Sequence, residues 1–145
     1  WLAEMLPASG VRNASTQFVG MTRWDIPAQT LAIPGIQGGW FALPDPVSTA
    51  AFAARYNAAY GARPLEFAGL AVDGVAAVGA LVKSGRPNAL SGAALTQNAG
   101  FSGANGIFRL RSDGTNERGL AIATISNNKV VFLEQAPKVF EGEGF

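Results

Sequence analysis

The chain has 145 residues, 48% of them hydrophobic and 14% charged, with a formal net charge of +1 and neither Cys nor His. That is enough for a domain with a real core. The near-neutral balance and scattered basic residues give no case for nucleic acid. The missing Cys and His exclude disulfides, thiolate or imidazole metal sites, and any mechanism using those side chains.

The first residues, Trp1-Leu2-Ala3-Glu4-Met5-Leu6, read as the middle of an amphipathic helix that ends near Pro7 and Gly10. The expectation is therefore a fragment of a longer protein, with any targeting signal elsewhere. Thr16 to Met21 predicts a short buried strand, and Thr22 to Gln37 a loop with one helical turn at Pro27–Leu31. Gly38 to Leu43 predicts a second strand, stopped by Pro44. Asp45 can cap a helix that opens on Pro46 and stops at Gly61. A second helix, from Pro64 to Lys83, is apolar on nearly every side and is expected to be buried. Its one acid in the middle, Asp73, costs several kcal/mol there unless it is paired, hydrogen-bonded or facing a water-filled cleft.

Asn88 to about Thr96 predicts a third short helix, and Asn98 to Gly106 a glycine-rich loop. Ile107 to Arg111 alternates as a half-buried strand does, and Ser112 to Thr115 is a hairpin turn signal. Leu120–Ile125 and Lys129–Leu133 are two further strands about the turn Ser126-Asn127-Asn128, and Pro137 to Phe145 reads as a tail. The apolar stretch from Phe67 to Val82 carries Asp73 and falls short of a membrane span. Because the first strands need parallel neighbours, the pattern favours a piece of an α/β protein.

The glycines at 100, 103 and 106 neither follow a strand nor open a helix, and no G-K-[ST] is present, so a phosphate cradle is not expected. There is no G-x-S-x-G and no His to serve as base. Asp25, Asp45, Glu66, Asp73 and Asp113 share no helical face at useful spacing, so no enzyme is expected. Thr22-Arg23-Trp24-Asp25 follows the first strand. Ligands of open α/β sheets settle at the carboxyl ends of strands. Thr22, Arg23 and Trp24 are therefore candidate ligand contacts, weighed against a structural role. For Asp73, a hydrogen bond tying the helix to its neighbours ranks above direct ligand contact. Gly69, Gly74 and Gly79 would let other backbone come close.

Five stretches, F-V-G-M-T-R-W, G-G-W-F-A-L-P-D-P, F-x-x-R-Y-x-x-x-Y-G-x-x-P, A-V-D-G-V-A-A-V and F-S-G-A-N-G-I-F-R-L-R-S-D-G-T-N-E-R-G-L-A-I, resemble type I periplasmic ligand-binding proteins. Within them the chain is similar to the leucine/isoleucine/valine-binding group, especially the bacterial penicillin-binding protein activators. The likeness runs from Trp1 to about Pro137. It implies a two-lobed α/β fold with a ligand in the cleft, of which this chain is the C-terminal part. Residues 1–37 would end the second lobe, 38–44 would be a hinge crossing, 45–106 would supply first-lobe helices, 107–137 would return as second-lobe strands and 138–145 would be a tail.

The same resemblance implies a periplasmic solute-binding protein for ABC transport or sensing. Its partners would be a small-molecule ligand, the missing N-terminal part of the same protein and an ABC permease, with no cofactor and no catalysis. The alternative is a cell-envelope protein of this fold that activates a peptidoglycan synthase. A signal peptide or lipid anchor would sit on a segment outside this chain. Two departures bear on the ligand. Where the family commonly has A-Y-D-A, this chain has Ala71-Val72-Asp73-Gly74, so a ligand-contacting Tyr is Val72 here. Arg23 stands near the place of an acid that would hold an ammonium, and an arginine attracts a carboxylate instead. The implied ligand contacts are Thr22, Arg23, Trp24, Val72 and Asp73, and the implied ligand is an amino acid or an anionic derivative.

Overall fold

The computed structural model describes residues 5–12 and 15–140. Most of the helix expected at the start, and the end of the tail, lie outside those residues; Pro7–Ser9 forms a 3-10 turn. The strands are β1 (Val19–Gly20), β2 (Trp40–Pro44), β3 (Phe101–Gly103), β4 (Gly106–Leu110), β5 (Asn116–Arg118), β6 (Leu120–Ser126) and β7 (Lys129–Glu134). The α-helices are α1 (Pro46–Tyr60), α2 (Ala68–Lys83) and α3 (Gly92–Leu95). The fold is mixed α/β, in two compact units: Trp1–Leu43 with Ala121–Gln135, and Pro44–Leu120 with Ala136–Phe145.

The first unit holds a four-stranded sheet in the order β1-β2-β6-β7. β1 runs parallel to β2, with Val19 opposite Trp40, so the β-loop-β pattern finds its parallel neighbour within the chain. β6 and β7 form an antiparallel hairpin with Ser126 opposite Lys129. Asn127 and Asn128 close it with φ of 51° and 60°, the two left-handed positions that a tight primed turn needs. Alternate residues of β6, Ala121, Ala123 and Ile125, are fully buried, and Phe41 and Leu43 of β2 and Ile36 from the preceding 3-10 turn are buried with them.

The second unit starts at α1. The Val47 N–H donates to Asp45 at 3.2 Å, Pro46 takes the first helical position and Gly61, at φ 66°, closes the helix. α2 begins at Ala68 rather than at Pro64, because residues 65–67 form an irregular turn and no side chain caps the helix. It is also not buried on all sides. Gly69, Asp73, Ala77 and Leu81 form one buried stripe at i, i+4 spacing against β3 and α3. Val72, Val75, Val78 and Val82 are exposed, Val75 to 76%.

β3 lies where the glycine-rich loop was expected. It pairs antiparallel with β4, Phe101 opposite Phe108 and Gly103 opposite Gly106. β5 follows no apolar pattern, yet it completes this sheet with Arg118 opposite Phe108 and Glu117 opposite Arg109. α3 is one turn, shorter than expected, with the Ser91 hydroxyl accepting the Ala94 N–H at 3.3 Å. β4 and β5 therefore share the second unit with the helices. The chain changes unit at Leu43/Pro44, Leu120/Ala121 and Gln135/Ala136.

Candidate functional site

In the first unit, Gly38 N–H donates to Ile125 C=O at 2.7 Å, which sets the start of β2 beside the end of β6. The end of β2, the start of β6 and the end of β7 thus share the opposite edge of the sheet, and all three passages to the second unit leave from it. Since β1 is parallel to β2, the segment 22–25 after β1 lies at this same edge.

Within that segment Thr22 is exposed, while Arg23, Trp24 and Asp25 are half-buried. Arg23 forks onto Asp25: Nε donates to Oδ1 at 2.8 Å and Nη2 donates to Oδ2. The guanidinium is thus met by a carboxylate two residues on, a pairing that the sequence order R-W-D permits but does not announce. Trp24 lies over a floor of two glycines. A Cβ at Gly20 would be 2.5 Å from indole Cε2, and one at Gly39 would be 2.6 Å from Cζ3. Phe41 adds a tilted ring contact, centroids 6.0 Å apart. The indole can approach the backbone of β1 and of the residue that precedes β2 only because both positions lack a side chain.

In the second unit Asp73 is 1% exposed. Its Oδ1 accepts the Ala104 N–H from the β3–β4 turn, and its Oδ2 takes Arg118 Nη1 of β5 at 3.1 Å. Gly103 makes room for the carboxylate, because a Cβ there would collide with it. The Arg118 guanidinium also stacks over the Phe108 ring, 5.0 Å from its centroid. Asp73 therefore pins α2 to the three-stranded sheet with both oxygens engaged, while Val72, its neighbour, faces outward and is 42% exposed. Arg118 stands 45 residues beyond Asp73, and its polar strand carries no sequence signal of that contact.

The carboxylates of Asp45 and Glu117 are tuned within this unit. Burial opposes ionisation of Asp45, but Lys138 Nζ at 2.6 Å, the Ser48 hydroxyl and the Val47 N–H outweigh it and hold the carboxyl below its ordinary range. Glu117 is lowered by Arg111 and Arg109. Arg109 is also held by the Asn98 C=O at 3.4 Å and lies over Phe140 at 4.7 Å. Among the described residues no group of three His, Cys, Asp or Glu could hold a metal ion. An open groove of about 880 Å³ in the first unit is lined by Pro34, Gln37, Thr124 and Asn127 among others. It lies at the sheet edge opposite residues 22–25, so this groove does not mark the sequence-expected contacts.

The model of the periplasmic binding protein family matches residues 2–129. Among solved structures, a candidate branched-chain amino acid ABC transporter from Rhodospirillum rubrum is 18% identical, with a TM-score of 0.68 over 90% of this chain and 40% of that one. A solute binding protein of an ABC transporter from R. palustris, in complex with benzoate, is 22% identical, with a TM-score of 0.46 over 81% of this chain and 35% of that one. A leucine binding protein from Thermotoga maritima is 17% identical, with a TM-score of 0.44 over 75% and 34%. No curated protein matches the chain. The chain spans 40% of the length of the Rhodospirillum protein whose fold it shares. With the family model matched along most of its length, and two units that the chain joins by three passages, the chain belongs to the periplasmic binding protein family.

Proposed function

We propose that this chain is part of a periplasmic solute-binding protein that captures a small molecule between two lobes and hands it to an ABC permease. The observation that carries the proposal is the family match together with the edge of the first unit's sheet, where three passages and the segment 22–25 coincide. The exposed valine face of α2 and the exposed side chains Val19, Val131, Phe132 and Leu133 of the first unit's sheet suit coverage by the remainder of a longer polypeptide.

Thr22, Arg23 and Trp24 are the proposed ligand contacts, and Asp25 joins them. The acid that the family resemblance expects near Arg23 stands two residues later and shares a fork with it. A zwitterionic amino acid can insert into such a pair, carboxylate toward the guanidinium and ammonium toward the carboxylate, as can an anionic derivative at Arg23 alone. Asp73 serves as an anchor of the second unit, not as a ligand group.

The test is a thermal-shift series on the full-length protein with amino acids, aromatic carboxylates and muropeptides. A true ligand at 100 times its dissociation constant should stabilise by about 2.7 kcal/mol, and Arg23→Ala should remove most of that gain. No shift with any solute, together with specific recovery of a peptidoglycan synthase, would turn the assignment to the regulatory alternative.

A further inference from the structure

The three segments that leave the second unit are fastened to one another on that unit's side, around Asp45. Asp45 is the second residue past the first passage, and it is 3% exposed. Its N–H donates to the Asn105 C=O at 3.2 Å, and its carboxylate takes Lys138 Nζ at 2.6 Å, from just past the third passage. Gly106 sits beneath it at φ 102°, where a Cβ would be 2.9 Å from Asp45 Cβ and 3.4 Å from the Gly119 oxygen. Gly119, just before the second passage, donates its N–H to the Ile107 C=O at 2.9 Å. A Cβ on Gly119 would come within 2.7 Å of Ile107 Cγ1 and 3.0 Å of Pro137 Cγ. First, second and third segments therefore meet around two glycines that no side chain could replace without displacing a neighbour.

We infer that Asp45 and Lys138 form a latch that makes the three linkers behave as one mechanical element. Each linker alone is a short stretch of backbone. The ion pair joins the first to the third, and the Gly106–Gly119 packing joins the second to both. Asp45 is suited to this because it is already immobilised: it caps α1 through the Val47 N–H and holds the Ser48 hydroxyl at 2.6 Å. Lys138 is the flexible partner, its side chain 63% exposed, so the latch can open without exposing a core. Asp45 and Lys138 are thus positioning residues, acting on whatever motion the passages allow.

The latch is tested by hydrogen exchange on the full-length protein, comparing wild type with Lys138→Met and Asp45→Asn. Asn at 45 keeps a capping acceptor while removing the charge. If the linkers form one element, both variants lower protection at the Asp45 amide and also at the Gly119 amide, which does not touch Lys138, by about tenfold, the scale of a lost charge-assisted hydrogen bond. Unchanged protection at Gly119, with or without a change at Asp45, overturns the proposal, because the second linker would then be independent. A second arm rests on the solute-binding proposal: Lys138→Met should shift the affinity for any solute found by thermal shift. If exchange at Gly119 responds but no solute binds either protein, the latch stands and the solute-binding assignment fails.

Discussion

The two units solve the same packing problem with different materials. The first is held by backbone ladders and apolar contact: alternate residues of β6 are buried, and Trp24 is seated directly on Gly20 and Gly39. The second adds charge to an apolar core that includes Phe52, Leu81, Ile107 and Phe108. Its interior carries Asp45, Asp73 and Arg109, each with a partner on another segment: Lys138, Arg118 and Glu117. β3 and β5 have three residues each and α3 has four, and the bonds from β5 to Asp73 and Arg109 tie these short pieces to α2 and β4. In the first unit the long strands are the antiparallel β6 and β7, of seven and six residues, and the alternate buried positions of β6 supply the apolar contact.

The largest effect that would break this contrast is at Asp73. Asp73→Ala should destabilise the protein by about 3–5 kcal/mol, since it strands the Ala104 N–H and leaves Arg118 without its carboxylate. A denaturant midpoint close to wild type would show that charge adds nothing to the second unit's core. A smaller effect is expected in the first unit. Gly39→Ala forces a methyl against the indole and should cost about 1–3 kcal/mol, with a shift in Trp24 fluorescence. If stability falls but the indole environment is unmoved, the glycine floor is not what seats the ring. The smallest effect, and the one that separates the units most cleanly, is acid. The carboxyls of Asp45 and Glu117 are lowered in the native state, so their contribution is complete above the ordinary carboxylate range. It is lost as pH falls through that range toward the lowered native values. Exchange-detected stability of the second unit should therefore decline below about pH 4 before that of the first. Simultaneous loss in both units would contradict the division.

What was legible in the sequence followed from local chemistry. Asp45, Pro46 and Gly61 bound α1 as capping and left-handed stops require, and the Asn127-Asn128 pair marked its hairpin. The buried acid of α2 was readable as a tie, because an unpaired carboxylate in an apolar helix is too costly to stand alone. Its partner was not, because Arg118 sits on a strand defined by the neighbour it pairs with rather than by its own residues. β3 was hidden by its glycine, whose absent side chain is there to admit the Asp73 carboxylate. The all-round apolarity of α2 suggested full burial, whereas only the Gly69-Asp73-Ala77-Leu81 stripe is covered within this chain. At the candidate site, position after a strand pointed to residues 22–24. The Arg23–Asp25 fork depends on side-chain geometry that spacing alone does not give.

The β6–β7 turn offers a practical handle. Its two asparagines are exposed and stand at the edge of the sheet away from Thr22 and Arg23. Hairpin tips of this kind accept insertions readily. A fluorophore or surface tether grafted there, in place of both left-handed residues together, would report on or immobilise the protein without crowding its proposed solute contacts.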